Sequence, residues 1–234
     1  MHESAQSNDS IEYSLRRQYI DNFFCRVAKN LPSGSLVLDL GGKRFRKRGY
    51  FNIESFPVRT VYLNNTAVSG PHVVADAAKI ACKAGAFGAV ICSELLEHVP
   101  DPGEVVREAY RVLAPNGLLL ICVPFLYRIH PDPHDYGRYT DHYWRELLTA
   151  NGFTIISIEK QGLFWSVLID MLRELLVRTS NTTLTGTVAG KRIIRFLFRR
   201  ARRKAVTWDA CLAHSAHSPL TGYTTGFGIV AQKL

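Results

Sequence analysis

Residues Phe87–Phe125 read FGAVICSELLEHVPDPGEVVREAYRVLAPNGLLLICVPF. The apolar run Ala89–Cys92 predicts a buried strand, Gly103–Leu113 a helix, Pro115-Asn116-Gly117 a turn and Leu118–Val123 a second strand. A strand, a covering helix and a further strand form one right-handed βαβ unit of a parallel sheet. Ser93 and Glu94 interrupt the first strand, so polar groups stand at its carboxyl end. Open α/β sheets bind their ligands at that edge. A second edge of this kind lies upstream in Leu36–Gly42 (LVLDLGG), where an apolar strand runs into Asp39 and a glycine pair. Two such edges about fifty residues apart predict a nucleotide-like cofactor laid across neighbouring strands.

The rest of the chain extends the same plan. Residues 1–9 are expected to be disordered, and Ile11, Leu15, Tyr19, Phe23 and Val27 mark a helix over Ser10–Asn30 that Leu31-Pro32-Ser33-Gly34 ends. Strands are expected at Ser35–Leu40, Val58–Leu63 and His72–Ala75, with a basic loop, KRFRKRG, over Lys43–Gly49. A helix over Asp141–Asn151 stops at Gly152, an ordinary helix-ending position. Strands follow at Phe153–Ile158 and Gly226–Gln232, separated by about sixty residues with two amphipathic helices. The expectation is one α/β domain over residues 1–234 with a Rossmann-like, seven-stranded, mostly parallel sheet. It divides into a helical cap (1–34), a cofactor-binding core (35–160), a basic helical insertion (161–220) and the last strand (221–234).

Composition agrees with a globular chain: 234 residues, 47% hydrophobic and 21% charged. The five cysteines lack any C-x-x-C pair, and Cys92 and Cys122 fall in core strands, as expected of buried thiols in a reducing cytoplasm. The polar first ten residues show no signal peptide, and no run reaches the length of a membrane span. Net charge is +9, but eight basic residues and no acid lie between Lys191 and Lys204; without them 21 basic residues face 20 acidic ones. The excess charge is one local patch.

The ordered words Asp39-Leu40-Gly41-Gly42, Asp76-Ala77, Leu96-Glu97-His98 and Arg111-Val112-Leu113-Ala114-Pro115-Asn116-Gly117 resemble the class I S-adenosylmethionine-dependent methyltransferases, within their type 11 group. The resemblance covers roughly residues 35 to 160. It implies S-adenosylmethionine as cofactor. Gly41 and Gly42 would let the backbone approach it, and Asp39 would orient that turn or accept from its ammonium. Asp76, beside Ala77, would accept from the adenine amino group, and Ser93 and Glu94 would lie beneath the cofactor. Two departures stand out: Lys43 replaces the third glycine, and no carboxylate takes the ribose position, leaving Asn64 or Asn65 to bind the diol. Glu54, the nearest carboxylate, comes early for that role.

The loop Tyr127–Thr140, after the fifth strand, overhangs the same edge and is the expected substrate-facing element. It resembles loops in methyltransferases encoded with bacterial surface-polysaccharide genes, which implies O-methylation of a sugar hydroxyl on a glycan or its lipid-linked precursor. Such a reaction needs a base of near-neutral pKa, so His134 and His130 are the catalytic candidates, with Asp135 as orienting partner. His98, Tyr127, Tyr136 and Arg138 are expected to bind substrate. An Asp135–Arg138 pair that merely stiffens the loop is the plainer reading. The His and Asp spacing matches no strong metal-ligand pattern, so no metal is assigned and metal dependence stays open.

In Lys191–Lys204 the sequence places Ile193, Ile194, Leu197, Phe198 and Ala201 on one face, with Lys191, Arg195, Arg199 and Arg202 opposite. That suits a helix lying on an anionic membrane surface, a solvated cap on the domain, or, with few stacking aromatics, RNA. A cytoplasmic enzyme, peripheral on the inner face of the membrane, follows from the first option. Quinone-like lipids and small metabolites remain open as acceptors, and the altered glycine loop leaves room for a non-catalytic, membrane-associated assembly factor.

Overall fold

The computed structural model describes residues 13–45, 47–178, 188–215 and 218–234, with the side chains of 188–191 outside that description. The expectations for residues 1–9, for the start of the first helix, and for the side chains of Arg46 and Lys191 therefore lie outside the described residues.

In chain order the regular elements are α1 (Leu15–Ala28), β1 (Leu36–Leu40), β2 (Arg59–Asn64), β3 (Val73–Val74), β4 (Phe87–Ser93), α2 (Pro102–Val112), β5 (Leu113–Pro124), α3 (Asp141–Ala150), β6 (Phe153–Lys160), α4 (Phe164–Arg178), α5 (Val188–Ala213) and β7 (Gly226–Lys233). The seven strands form one sheet in the order β3-β2-β1-β4-β5-β7-β6. Strands β1 to β5 pair in parallel, and β7 pairs antiparallel with β5. The Rossmann-like α/β architecture is thus the one the sequence implies. The strand order reverses between β1 and β4, and the crevice at such a switch point is where this architecture receives its ligand.

The chain divides into two compact units. The larger comprises Asn22–Lys47, Phe51–Glu159 and Gly226–Leu234, and holds nearly the whole sheet. Leu38, Leu40, Leu63, Val90, Cys92, Ile121 and Ile229 are buried in its core, joined by Val105, Val106 and Ala109 of α2 and Trp144 and Leu148 of α3. Strands covered on both faces read as near-continuous apolar runs, which is why LVLDL and AVIC declared themselves. Helix α2 starts where Asp101 accepts from the Gly103 N–H at 2.7 Å with Pro102 at its first position, and α3 where Thr140 accepts from Tyr143 N–H at 3.4 Å. Strand β5 begins five residues earlier than expected because Leu113 pairs with Phe87 before the register shifts. Strand β2 runs one residue further, so Asn64 is its last member.

The described residues of the smaller unit fall within Met1–Asp21, Arg48–Tyr50 and Lys160–Thr225. Its apolar cluster is Leu15, Ile169, Phe198 and Ala205. Two buried carboxylates organise it. Asp170 accepts from the Leu15 and Arg16 N–H groups, both at 2.8 Å, and so satisfies the start of α1. Asp209 accepts from the N–H groups of Leu163 (2.8 Å), Trp165 (3.0 Å) and Ser166 (3.1 Å) at the start of α4. The polar stripe of α4 consequently faces inward: Ser166, Asp170 and Arg173 are buried. On α5 the inward face is Phe198, Arg202, Ala205 and Asp209, whereas Ile193 and Leu197 face solvent. That corrects the expected facing. Arg202 turns in because its guanidinium donates to Gln18 at 2.8 Å and lies 5.2 Å from the Tyr13 ring centroid.

Candidate functional site

Within the larger unit the carboxyl ends of β1 and β4 open at the switch point, and Asp39 and Ile91 are register partners there. Gly41 follows β1 with φ +74, a left-handed conformation that suits glycine, and its N–H donates to the Leu63 carbonyl at 2.8 Å. At Gly42 an added Cβ would lie 2.4 Å from the Asp39 carboxyl carbon, so the carboxylate occupies the space a side chain would need. The turn is pinned from β2: the Asn64 amide donates to the Gly41 carbonyl at 3.0 Å and the Gly42 carbonyl at 3.3 Å. Its Oδ1 accepts from the Thr66 N–H at 3.2 Å. Asn64 therefore holds the glycine turn, and Asn65 beside it is exposed.

Asp39 is half-buried, and desolvation pushes its carboxyl up to about 7, opposed by the Lys47 ammonium. Among the described residues of the basic loop, Lys47 turns inward; it donates to Tyr62 Oη at 2.7 Å and Asn52 Oδ1 at 2.9 Å. Tyr62 in turn donates to Glu54 at 3.1 Å, which places Glu54 in this network ahead of β2. A desolvated carboxylate above a glycine turn is a fitting receptor for the ammonium end of S-adenosylmethionine. Asp76 is exposed, with Oδ1 accepting from the Ala78 N–H at 2.9 Å as a turn cap, and Ala77 is buried in the core. Ser93 ends β4, and Glu94 follows with φ +50, its N–H donating to the Cys122 carbonyl at 2.8 Å. A left-handed non-glycine residue at a strand's carboxyl edge marks a locally strained turn.

The loop after β5 brings a second group together. The Asp135 carboxylate is 3% exposed and paired with the Arg138 guanidinium. It accepts from the His130 N–H at 2.9 Å and lies 3.4 Å from His130 Nδ1. The Arg138 guanidinium holds Asp135 down at about 2, while burial lowers His130 from its ordinary value. The His130 ring meets His98 edge-on at a centroid distance of 5.0 Å and Tyr127 at 5.3 Å. His98 Nδ1 lies 2.6 Å from the His134 carbonyl, so His134 offers this cluster its backbone while its exposed ring packs on Tyr136, 5.7 Å away. The Tyr136 N–H donates to the Glu97 carbonyl at 2.7 Å, fastening the loop to the segment after β4. Of the sequence candidates, His130, Asp135, Arg138, Tyr127 and His98 are thus gathered, and His134 and Tyr136 flank them.

Sequence reasoning passed over Lys47, whose role needs its inward turn, and the convergence on Glu97. The Glu97 carboxylate is 1% exposed and lies 3.6 Å from His98 Nε2. Glu97, His98 and His130 each offer a ligand atom, all within 4.8 Å of one another, a donor set that could take a divalent cation. The signal was present in Leu96-Glu97-His98, but the third member comes from a loop more than thirty residues on.

Residues 54–121 match the family described as methyltransferase domain. A ubiquinone biosynthesis O-methyltransferase of Psychrobacter cryohalolentis is 28% identical over 142 residues, covering 54% of this chain and 53% of that protein. The chain spans about half the length of that curated relative. Among solved structures, the 4+2 cyclase SpnF superposes with a TM-score of 0.58 at 18% identity, covering 93% of this chain and 80% of that one. The Burkholderia thailandensis 1,6-didemethyltoxoflavin-N1-methyltransferase, solved with S-adenosylhomocysteine, gives a TM-score of 0.53 at 15% identity, covering 95% and 79%. Residues 54–121 are thus similar to a methyltransferase domain, and the solved structures share the fold. A cyclase shares the fold, so the reaction has to be read from the site.

Proposed function

We propose that this chain transfers the methyl group of S-adenosylmethionine to a hydroxyl oxygen, with His130 as the base. The observation that carries the reading is the buried Asp135 carboxylate, locked by Arg138 and holding His130 at the carboxyl edge of the sheet. When bound, the cofactor supplies a methyl group on a sulfonium: an O–C bond forms, the S–C bond breaks, and its electron pair stays on sulfur. Gly41 and Gly42 would admit the amino-acid end, Asp39 would accept from its ammonium, and Asp76 would face the adenine. His130 Nδ1 has the Arg128 carbonyl at 3.1 Å and Asp135 at 3.4 Å as acceptors, which favour a proton on Nδ1 and a basic Nε2 lone pair over the longer 3.5 Å approach of the Arg138 guanidinium. The hydroxyl proton passes to Nε2, and Asp135 stabilises the imidazolium that results. Positioning of acceptor and methyl group supplies most of the acceleration.

The acceptor we favour is a phenolic hydroxyl on a quinone-like, lipid-borne ring. Curated relatives named for ubiquinone biosynthesis support it, as does the aromatic ring of Tyr127 on this loop. A sugar hydroxyl is the second reading, supported by the exposed polar groups of Arg128, Asp132, His134 and Tyr136. Titration calorimetry with S-adenosylhomocysteine, then transfer of labelled methyl to catechol-type and sugar acceptors, tests the proposal. Micromolar binding with label in a phenol is the expected result. Label in a sugar selects the second reading, and a folded protein without cofactor binding would instead favour the non-catalytic assembly factor.

A further inference from the structure

The smaller unit exposes apolar side chains on α4 and α5 while burying several polar ones. On α4 the buried side chains include Ser166, Asp170 and Arg173, while Met171, Leu172 and Leu175 stand exposed. On α5, Ile193, Phe196 and Leu197 are 59%, 60% and 57% exposed. Their spacing puts these three on one helical face, opposite the inward Phe198, Arg202, Ala205 and Asp209. Arg200 and Lys204 continue that outward face toward the carboxyl end, and Arg192, Arg199 and Arg203 flank it. No acidic residue occurs between Lys191 and Lys204.

We propose that α5 docks this unit on an anionic phospholipid bilayer, lying in the interface with Ile193, Phe196 and Leu197 among the acyl chains. Charge complementarity identifies the occupant. A basic amphipathic helix with an aromatic and aliphatic outer face gains from apolar burial and from anionic headgroups together. A second copy of this chain would bring the same arginines face to face across a two-fold axis, which opposes pairing. Nucleic acid would satisfy the arginines but gives Ile193 and Leu197 no partner, since stacking uses aromatic planes. Among the described residues no helix is long and apolar enough to cross a membrane, so contact with lipid through these residues is interfacial. The inward carboxylates explain how such a face is tolerated: Asp170 and Asp209 satisfy helix starts in the interior, leaving the apolar side chains of α4 and α5 to turn outward.

The test is sedimentation of the full chain with vesicles of phosphatidylcholine alone and of phosphatidylcholine with phosphatidylglycerol, without cofactor. Its result is thereby separate from the fate of the methyltransfer reading. The chain should bind the anionic vesicles only, and less as salt rises. Replacing Arg192, Arg200 and Arg203 by Gln should weaken binding roughly a hundredfold, since each basic residue at such a surface contributes ~1 kcal/mol. Phe196→Ser with Leu197→Ser should abolish the salt-resistant part while leaving the circular dichroism spectrum unchanged, because both side chains are exposed. Equal binding to neutral vesicles, no binding to either, indifference to both variants, or a dimer that buries Phe196 would each overturn the proposal.

Discussion

Asp135 meets His130 twice: it accepts the His130 backbone N–H at 2.9 Å and stands 3.4 Å from the imidazole Nδ1. The charge on Asp135 raises the affinity of His130 for a proton, while burial lowers it. Asp135→Asn keeps the shape and removes the charge. Methyl transfer should then slow by about 10- to 100-fold, toward the lower range of what a positioned base contributes. The acid limb of the kcat profile should also move to lower pH, because His130 loses a neighbour that favours its protonated form. A residue that only braced the loop would slow the reaction without moving that limb.

The same carboxylate has a stability signature. Its native pKa, about 2, lies below the unfolded value of 3.8. A depressed acid contributes stability above its unfolded pKa and loses it as pH falls through the folded one. Wild type should therefore lose about 2 kcal/mol from this group between roughly pH 4 and pH 2, and Asp135→Asn should lack that share. Denaturant titrations across that window measure it.

Asp39 carries the opposite sign. Desolvation raises its folded pKa to about 7, so the native state binds a proton that the unfolded chain releases above 3.8. Its contribution favours folding below that pH and declines as pH rises toward about 7. Asp39→Asn should flatten this decline in thermal unfolding between pH 4 and 7. Lys47→Gln should carry it to higher pH, because the ammonium that opposes the shift is gone. Under the proposed function, cofactor binding near pH 6.5 should release a proton from Asp39. Calorimetry in buffers of different ionisation enthalpy reads that release directly, and the Asn variant should show none.

Gly42→Ala tests the glycine turn itself. The new Cβ would fall 2.4 Å from the Asp39 carboxyl carbon, too close for either group to remain in place. We expect a loss of about 1–3 kcal/mol, the usual range for overpacking, and at least a tenfold weaker affinity for S-adenosylhomocysteine. Adding Asp39→Ala should restore stability, since the clash disappears, while leaving the affinity low. Recovery of both together would mean that Asp39 has no part in cofactor binding.

The sheet was legible because parallel strands covered on both faces cannot hide their apolar runs, and because Asp39, Ser93 and Glu94 interrupt those runs at the carboxyl edge. The loop histidines could be named, but not ranked. Only the fold shows that His130 has Asp135 behind it, whereas His134 presents its carbonyl to His98. Asn64 suggested a ribose ligand by position, yet its amide hydrogen bonds go to Gly41 and Gly42, contacts across two strands that no local pattern encodes. The faces of α5 were divided wrongly for a related reason, since Phe198 and Arg202 both turn inward. Periodicity finds two faces on a helix, but which one turns inward depends on distant helix ends seeking acceptors.

Asp170 provides the sharpest test of that last point. Its two oxygens accept from the Leu15 and Arg16 N–H groups, 2.8 Å each, so one side chain 155 residues away does the work of a local helix cap. Burial raises its pKa while these bonds and Arg173 lower it, and the net shift is upward. Asp170→Ala would leave two buried donors unsatisfied and should cost about 2–4 kcal/mol, above the usual value for a lost cap. Asp170→Asn can still accept through one oxygen and should cost roughly half as much. Hydrogen exchange gives the decisive reading: the first turn of α1 should lose protection in the Ala variant while the amides of β4 and β5 keep theirs. Uniform loss across both units would show that Asp170 supports the whole fold and not the start of one helix.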